Sequence, residues 1–123
     1  GRRKSDYSHW GIDWQEALRS TGGDAALMRE IIDVFLEESP RMLAEVHRSL
    51  AEHDPVRLRR AAHTLKGSCG YFAAHHAQEL AEILEHHSSA GDFQKAQATL
   101  ESLQNELNRI EPALRVFLHE EGN

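Results

Sequence analysis

The chain has 123 residues, with 14 Lys and Arg against 20 Asp and Glu and a net charge of −6 when histidine is neutral. This length suits one domain with its own core, and a hydrophobic fraction of 40% is too high for a disordered chain. The acidic balance argues against general nucleic-acid binding. No apolar stretch approaches the roughly 18 residues of a membrane span, so we expect no membrane contact.

A single cysteine, Cys69, cannot form a disulfide within the chain and indicates a reducing compartment, which favours a cytoplasmic location. The basic N-terminal residues are not followed by the apolar stretch of a signal peptide. We therefore expect residues 1–10 to be a linker or an artificial remnant, residues 11–119 to form a monomeric domain, and residues 120–123 to be a tail.

Capping residues, prolines and glycines mark the predicted helix ends. Asp13 is predicted to cap a short helix that ends at about Leu18, before Gly22 and Gly23. Asp24 is an N-cap candidate for a second helix, whose apolar residues are spaced for one face: Leu27, Ile31, Val34 and Phe35. Two further helix starts are predicted where a capping residue precedes a proline, at Ser39-Pro40 and Asp54-Pro55.

Apolar residues recur at helical spacing along the rest of the chain. Two stripes follow the prolines: Leu43, Val46 and Leu50, then Leu58, Ala62, Leu65, Cys69 and Phe72. A helix is predicted from about Ala74 to Ser88, with Ala77, Leu80, Ala81 and Leu84 directed inward. A last helix follows Asp92 and runs through Phe117, with an expected kink at Pro112. Because no strand pattern competes, we predict an all-α antiparallel bundle with a short N-terminal capping helix.

The helix after Pro55 carries an unusual exposed face. With about 100° per residue, His63 lies opposite the apolar stripe. Within about 60° of it on the helix surface lie three cations and two glycines: Arg59, Arg60, Lys66, Gly67 and Gly70. Each glycine costs about 1 kcal/mol relative to alanine in a helix interior. The glycines could allow another helix to approach, and on a face opposite the core that helix would belong to another molecule.

An uncluttered surface around an imidazole suits a reaction between two molecules at that ring. Lys66, three residues after His63, is within reach of a group bound to the ring and could neutralise the charge of a phosphoryl group. The residue types around His63 therefore point to phosphoryl chemistry.

The run Ala62-His63-Thr64-Leu65-Lys66-Gly67-Ser68, followed by Phe72 and by Leu80-Ala81-Glu82-Ile83-Leu84-Glu85, resembles the histidine phosphotransfer (HPt) domain of bacterial multistep phosphorelays. The resemblance extends over roughly residues 11–119. It implies a four-helix bundle that accepts a phosphoryl group from a receiver-domain aspartate onto one histidine and passes it to a second receiver. By match to the motif, that histidine is His63.

The resemblance also implies roles for other residues. Lys66 and Gly67 match the lysine and glycine of the family motif. Glu85 stands where the family commonly has Gln or Glu, which accepts a hydrogen bond from Nδ1 of the histidine; this contact would leave Nε2 as the nucleophile. The family often has glycine at the end of the histidine helix, where this chain has Ala73, so the turn at residues 70–74 stays undefined.

We therefore predict a phosphocarrier whose partners are response-regulator receiver domains, either as the C-terminal module of a hybrid sensor kinase or as a free-standing carrier. The predicted partner surface includes Arg59, Arg60, Gly67 and Gly70. No cofactor is expected in this domain, since Mg²⁺ would be supplied by the receiver. The sequence has no P-loop, so we expect no ATP site and no kinase activity of its own.

Two alternatives remain open at this stage. The first is a non-catalytic helical adaptor or dimerisation domain. The second is a metal-binding bundle, suggested by the pairs His75-His76 and His86-His87. Adjacent helical residues point about 100° apart, so neither pair can chelate alone, and we expect no metal site. Cys69 lies on the apolar stripe and is predicted to be a small core residue, not a reactive thiol.

Overall fold

The computed structural model describes residues 11–122, with side chains up to residue 119. Five helices follow one another: α1 (Trp14–Ser20), α2 (Ala25–Ala51), α3 (Pro55–Gly70), α4 (His75–Ser89) and α5 (Phe93–Gly122). Each of α2 to α5 packs against the next, and α2 also packs against α5, so these helices close a four-helix bundle. The predicted all-α bundle with a short N-terminal helix is confirmed, and residues 1–10 lie outside the described residues.

Aspartate side chains begin four of the five helices, as predicted. In each case Oδ1 accepts a hydrogen bond of 3.0–3.1 Å from the backbone N–H three residues later; the capping residues are Asp13, Asp24, Asp54 and Asp92. Such a cap typically contributes about 1 kcal/mol. Helix α4 begins after Ala74, which makes no side-chain cap.

The predicted helix start at Ser39-Pro40 is wrong. Helix α2 runs through Pro40 without a break. Pro40 is exposed, so its ring finds room outside the bundle, and the missing N–H removes one intrahelical hydrogen bond without ending the helix. Buried residues on both sides of the proline, Phe35 and Val46 among them, pack into the same core and hold the two halves in line. Helix α5 likewise continues through Pro112.

The face predicted for the first half of α2 is corrected in part. Phe35 is buried and Ile31 partly so, but Leu27 is 42% exposed and Val34 is 59% exposed, and Met28 and Ile32 join Phe35 in the core. Leu27, Ile31 and Val34 each lie one residue before a buried position, which is about 100° around the helix. Helix α2 therefore has a second apolar stripe outside the core.

Aromatic contacts join α1 to the end of the bundle. The ring of Trp14 stacks on Phe117 of α5 with centroids 4.3 Å apart. The backbone N–H of Asp13 donates to the carbonyl of Ala73 in the turn between α3 and α4 at 3.3 Å. Both contacts place α1 across the bundle end, in agreement with its predicted capping role.

The turn at residues 70–74 brings Ala73 into the left-handed region with φ of +53°. Its N–H donates to the carbonyl of Gly70, and the N–H of Ala74 donates to the carbonyl of Cys69, both across the end of α3. Ala73 therefore takes the conformation that favours glycine, and its methyl group is buried at 3% exposure.

Cys69 is fully buried, as the stripe predicted. Burial raises the pKa of the Cys69 thiol to about 12, so the sulfur stays protonated at neutral pH. No helix in the described part of the chain is both long enough and apolar enough to cross a membrane.

The proline inside α2 gives a stability prediction. Pro40→Ala restores a helical N–H at an exposed position and should raise the free energy of unfolding by about 1–3 kcal/mol. Pro55→Ala is the matched control, because Pro55 stands at the first position of α3, where proline costs nothing, and it should change stability by less than about 0.5 kcal/mol. Urea unfolding measures both, and equal effects of the two substitutions would contradict the argument.

Candidate functional site

His63 projects from the middle of α3 into solvent, beside a carboxylate supplied by α4. Its ring Nδ1 lies 3.1 Å from Oε1 of Glu85. The His63 side chain is 64% exposed, whereas the Glu85 side chain is only 19% exposed. Nε2 has no hydrogen-bond partner among the described residues. A neutral ring in this contact carries its proton on Nδ1, because a carboxylate accepts and does not donate, and the lone pair of Nε2 then faces solvent.

Lys66 shares the same carboxylate. Its Nζ lies 3.0 Å from Oε2 of Glu85, one helical turn after His63 on α3. Burial by itself raises the pKa of Glu85, but the hydrogen bonds from Lys66 and His63 outweigh it and hold the pKa of this carboxyl below its usual range. Glu85 is therefore ionised at neutral pH. The predicted site residues His63, Lys66 and Glu85 lie together in one contact network.

The two glycines of the predicted surface have different surroundings. A Cβ atom at Gly67 would meet nothing within 4 Å, so no neighbour in the described structure requires glycine there. A Cβ atom at Gly70 would lie 2.9 Å from the side-chain nitrogen of Gln78 on α4. Gly67 thus keeps the surface next to His63 flat, while a side chain at Gly70 would displace the amide end of Gln78.

Arg59 and Arg60 are both exposed on α3, and neither forms an ion pair with another described residue. They therefore present their charge to solvent on the side of the helix that carries His63. The structure leaves their predicted role in partner binding as a prediction.

An apolar groove lies between α2 and α3, and the sequence-based reasoning missed it. Apolar residues of α2, two residues of α3 and Tyr71, which directly follows α3, form its walls, and two glutamates of α2 also line it: Leu27, Glu30, Ile31, Val34, Phe35, Glu38, Met42, Thr64, Ser68 and Tyr71. The hydroxyl of Thr64 donates to the carbonyl of Arg60, and that of Ser68 donates to the carbonyl of Thr64. Because these hydroxyls are directed back to the helix, the α3 wall of the groove presents mainly apolar atoms, whereas Glu30 and Glu38 lie on the α2 wall.

Thr64 and Ser68, which lie on the α3 wall of the groove, directly follow His63 and Gly67 in the sequence. The signal that could have revealed the groove is the excess of apolar residues on α2, which are too many for one buried face. An exposed apolar patch beside a reactive side chain often marks a protein-binding surface.

Among the other histidines, His86 lines the shallow cleft that contains Lys66 and Glu85, whereas His75 lies at the bundle end. His75 contacts a carboxylate oxygen of Glu16, and this pair lies with Asp13 in the one grouping of three potential metal-ligating side chains found among the described residues. Asp13 already caps α1 through its carboxylate. The grouping lies at the bundle end, and ten residues of α4, about 15 Å, separate His75 from Glu85.

Comparison with known proteins identifies the fold and its family. A sequence model of the Hpt domain matches residues 30–113, which is most of the chain. The chain belongs to the Hpt domain family. It is therefore a histidine phosphocarrier of multistep phosphorelays, as the motif predicted.

Individual relatives agree with this assignment. The chain is 32% identical over 80 residues to the signal transduction histidine-protein kinase BarA of Shigella flexneri and 31% identical over 80 residues to BarA of Escherichia coli K12. These matches cover 65% of this chain but 9% of either kinase. This Hpt domain thus corresponds to a small part of its curated relatives.

Two solved structures share the fold. The histidine-containing phosphotransfer protein HptB from Pseudomonas aeruginosa PAO1 superposes with a TM-score of 0.83 at 21% identity, covering 89% of this chain and 96% of that one. The HPT domain of a hybrid histidine kinase from Shewanella superposes with a TM-score of 0.79 at 19% identity, covering 90% and 96%.

The shared carboxylate gives a pH-dependent prediction. Because the pKa of Glu85 is lowered in the folded chain, its ionised form favours folding above the unfolded pKa, and this contribution is lost as the pH falls through the folded pKa. Lys66→Met removes one of the two partners, so it should raise the pKa of Glu85 and lower stability at neutral pH by about 1 kcal/mol.

The difference in unfolding free energy between Lys66→Met and the unsubstituted chain should shrink as the solution becomes acidic. NMR titration of the Glu85 carboxyl and urea unfolding across the acidic range measure these effects. Lys95→Met is the control, since Lys95 is 69% exposed and its nitrogen lies 3.9 Å from Asp92. A stability difference for Lys66→Met that persists unchanged at acidic pH would contradict the ion-pair explanation.

Proposed function

We propose that His63 is the residue that carries the phosphoryl group, receiving it from the aspartate of one receiver domain and passing it to the aspartate of another. The observation that supports this most strongly is the geometry of the ring. Nδ1 is held by Glu85 at 3.1 Å, and Nε2 is exposed on a flat part of the helix surface. An in-line attack on phosphorus needs this combination of a fixed, neutral ring and open access.

In the forward step, the lone pair of Nε2 forms a bond to phosphorus while the bond between phosphorus and the aspartyl oxygen breaks. The electron pair of the broken bond stays on the receiver carboxylate. The ring then bears both the Nδ1 proton and the phosphoryl group on Nε2, so it becomes cationic without any proton leaving. No general base is required, because the attacking nitrogen is already unprotonated.

Lys66 is the cation placed to interact with the transferred group. Its nitrogen is held by Glu85 one turn from the ring, and a flexible four-carbon stem lets the ammonium reach the phosphoryl oxygens. We propose that the receiver provides Mg²⁺ and most of the stabilisation of the transition state, and that this domain acts without an ATP site of its own.

The α2–α3 groove supplies a partner surface beside the reactive ring. On α3, Thr64 and Ser68 lie about 100° to 140° around the helix from His63 on one side, and Lys66 lies about 60° away on the other. A receiver that aligns its aspartate with Nε2 can cover the groove without displacing Glu85 or Lys66. Arg59 and Arg60 lie near the ring, where positive charge attracts the acidic site of a receiver and raises the association rate.

This placement refines the surface predicted from the sequence. The exposed α3 face contributes cations and flat space, and α2 contributes the apolar area that a stable complex requires. We propose a response-regulator receiver as the occupant and, by analogy with BarA, a module tethered within a larger histidine kinase.

The assignment of His63 has a direct test. His63→Gln keeps a polar side chain of similar length but removes the nucleophilic nitrogen, so phosphoryl transfer from a receiver charged with radiolabelled acetyl phosphate should be abolished. His76→Gln, at another exposed histidine, is the control and should label like the unsubstituted chain. Labelling of His63→Gln at the normal rate would rule out His63 as the carrier, and an unsubstituted chain that takes up no label from any receiver would favour an adaptor role.

The docking surface has a separate test. Val34→Glu places a charge in the groove and should weaken receiver binding at least about tenfold, since a buried unpaired charge at an interface costs several kcal/mol. Ile83→Glu is the control: Ile83 is 37% exposed and lies about 200° around α4 from Glu85, away from the site. Titration calorimetry with the cognate receiver measures both, and equal affinities would contradict the assignment of the groove.

A further inference from the structure

One carboxylate, that of Glu85, contacts both the ring of His63 and the ammonium of Lys66. Oε1 of Glu85 lies 3.1 Å from Nδ1 of His63, and Oε2 lies 3.0 Å from Nζ of Lys66. An amide side chain at position 85 could accept the same hydrogen bond from Nδ1. It could not supply the negative charge, so the presence of glutamate needs an explanation beyond ring orientation.

The charge matters after transfer, when the ring carries a proton on Nδ1 and phosphorus on Nε2. If that proton stays, cleavage of the nitrogen–phosphorus bond returns its electron pair to Nε2 and releases a neutral imidazole. If the proton has been lost to solvent, the same cleavage must release an imidazolide anion, which is a far poorer leaving group. Return of the phosphoryl group to a carboxylate therefore depends on the Nδ1 proton.

We infer that the negative charge of Glu85, beyond its hydrogen bond, keeps the proton on Nδ1 of phosphorylated His63 and so keeps the phosphoryl group transferable at neutral pH. This inference rests on the proposed function of His63. Glu85 acts here as a positioning residue, because it contacts the ring and not the reacting phosphorus.

The surroundings of Glu85 favour a strong effect of its charge on the Nδ1 proton of His63. Its side chain is 19% exposed, so water screens its charge less than it would on an open surface. The other charged or titratable groups in the shallow cleft around it are Lys66 from α3 and Glu82 and His86 from α4. Lys66 opposes retention of the ring proton, as do the exposed Arg59 and Arg60 on the same side of α3. Glu82 favours retention from a more exposed position, and His86 opposes it only when protonated.

The test measures the protonation of the phosphorylated ring directly. Chains labelled on nitrogen-15 are phosphorylated with inorganic phosphoramidate, and the ring of phosphorylated His63 is titrated by NMR, with His63→Gln used to assign its signals. We expect Glu85→Gln to lower the pH of half-protonation by about one unit, since an opposite charge at this distance shifts a pKa by about one to three units. Lys66→Met should shift it in the opposite direction.

Glu82→Gln and His86→Gln are the controls and should leave the midpoint nearly unchanged, because both keep Glu85 in contact with the ring. The rate of phosphoryl transfer from each phosphorylated chain to a receiver should change with pH in parallel with protonation of the ring. At a pH above the midpoint, Glu85→Gln should transfer about tenfold more slowly, and acidification should restore its rate. A merely structural role of Glu85 would slow transfer at every pH alike.

An unchanged midpoint in Glu85→Gln would overturn the inference, as would equal shifts in Glu85→Gln and Glu82→Gln. If Glu85→Gln disturbs the ring position, the opposite shift in Lys66→Met still tests the charge effect. Failure of the proposed function has a different signature: receivers would not label His63, although phosphoramidate would still label it and the titration could still be read.

Discussion

The position of the reactive ring depends on the burial of one stripe of α3. Leu58, Ala62, Leu65 and Cys69 are all fully buried, and they alternate at spacings of three and four residues. His63 and Lys66 each directly follow a member of this stripe, so the packing that holds α3 in the bundle also sets the direction of both side chains. A rotation of α3 that turned His63 inward would expose several apolar residues, each worth about 1.5–3 kcal/mol when buried.

Helix α4 supplies the second half of the site by the same means. Ala77, Ala81 and Leu84 are fully buried against the bundle, and Glu85 follows Leu84 at the edge of this face. The small buried residues Ala77 and Ala81 let α4 pack closely in the bundle, and the carboxylate of Glu85 lies within hydrogen-bond distance of the ring. Desolvation of that carboxylate is offset by two partners, so the contact that orients His63 is also the one that stabilises the charge of Glu85.

The features predicted best from the sequence were those that depend on residues close together along the chain. Asp13, Asp24, Asp54 and Asp92 cap helices in the structure because an N-cap involves only a side chain and the backbone of the next turn. The motif around His63 was equally readable, since its residues lie on one helix. Ser39-Pro40 was misleading because the same local pattern also fits a helix interior when the proline faces solvent and the core holds both flanks.

What could not be predicted depends on contacts between helices. Leu27 and Val34 have the periodicity of buried residues, and only the packing of α2 against α3 and α5 determines that Met28 and Ile32 lie in the core with Phe35 instead. Lys66 and Glu85 were each predicted as site residues, but their ion pair depends on how α3 and α4 are aligned with each other. The spacing of residues along one helix does not determine that alignment. Ala73 adopts its left-handed conformation because the turn requires it, against the preference of alanine.

The site differs from an enzyme pocket because a phosphocarrier has to present the same atom to two different proteins. A closed cavity would exclude water but would also exclude a receiver, so His63 is 64% exposed and its chemistry is tuned from one side only. On that side, Glu85 contacts both Nδ1 of the ring and the ammonium of Lys66. On the other side, the groove of α2 and α3 offers apolar area, with Glu30 and Glu38 on its α2 wall.

On the function proposed above, this separation assigns partner recognition and reactivity to different residues of the same helix. Substitutions in the groove would then alter which receiver binds and how tightly, while substitutions at Glu85 or Lys66 would alter how the bound phosphoryl group reacts. An Hpt domain built in this way can change partners by changes on α2 without losing the geometry on which transfer depends.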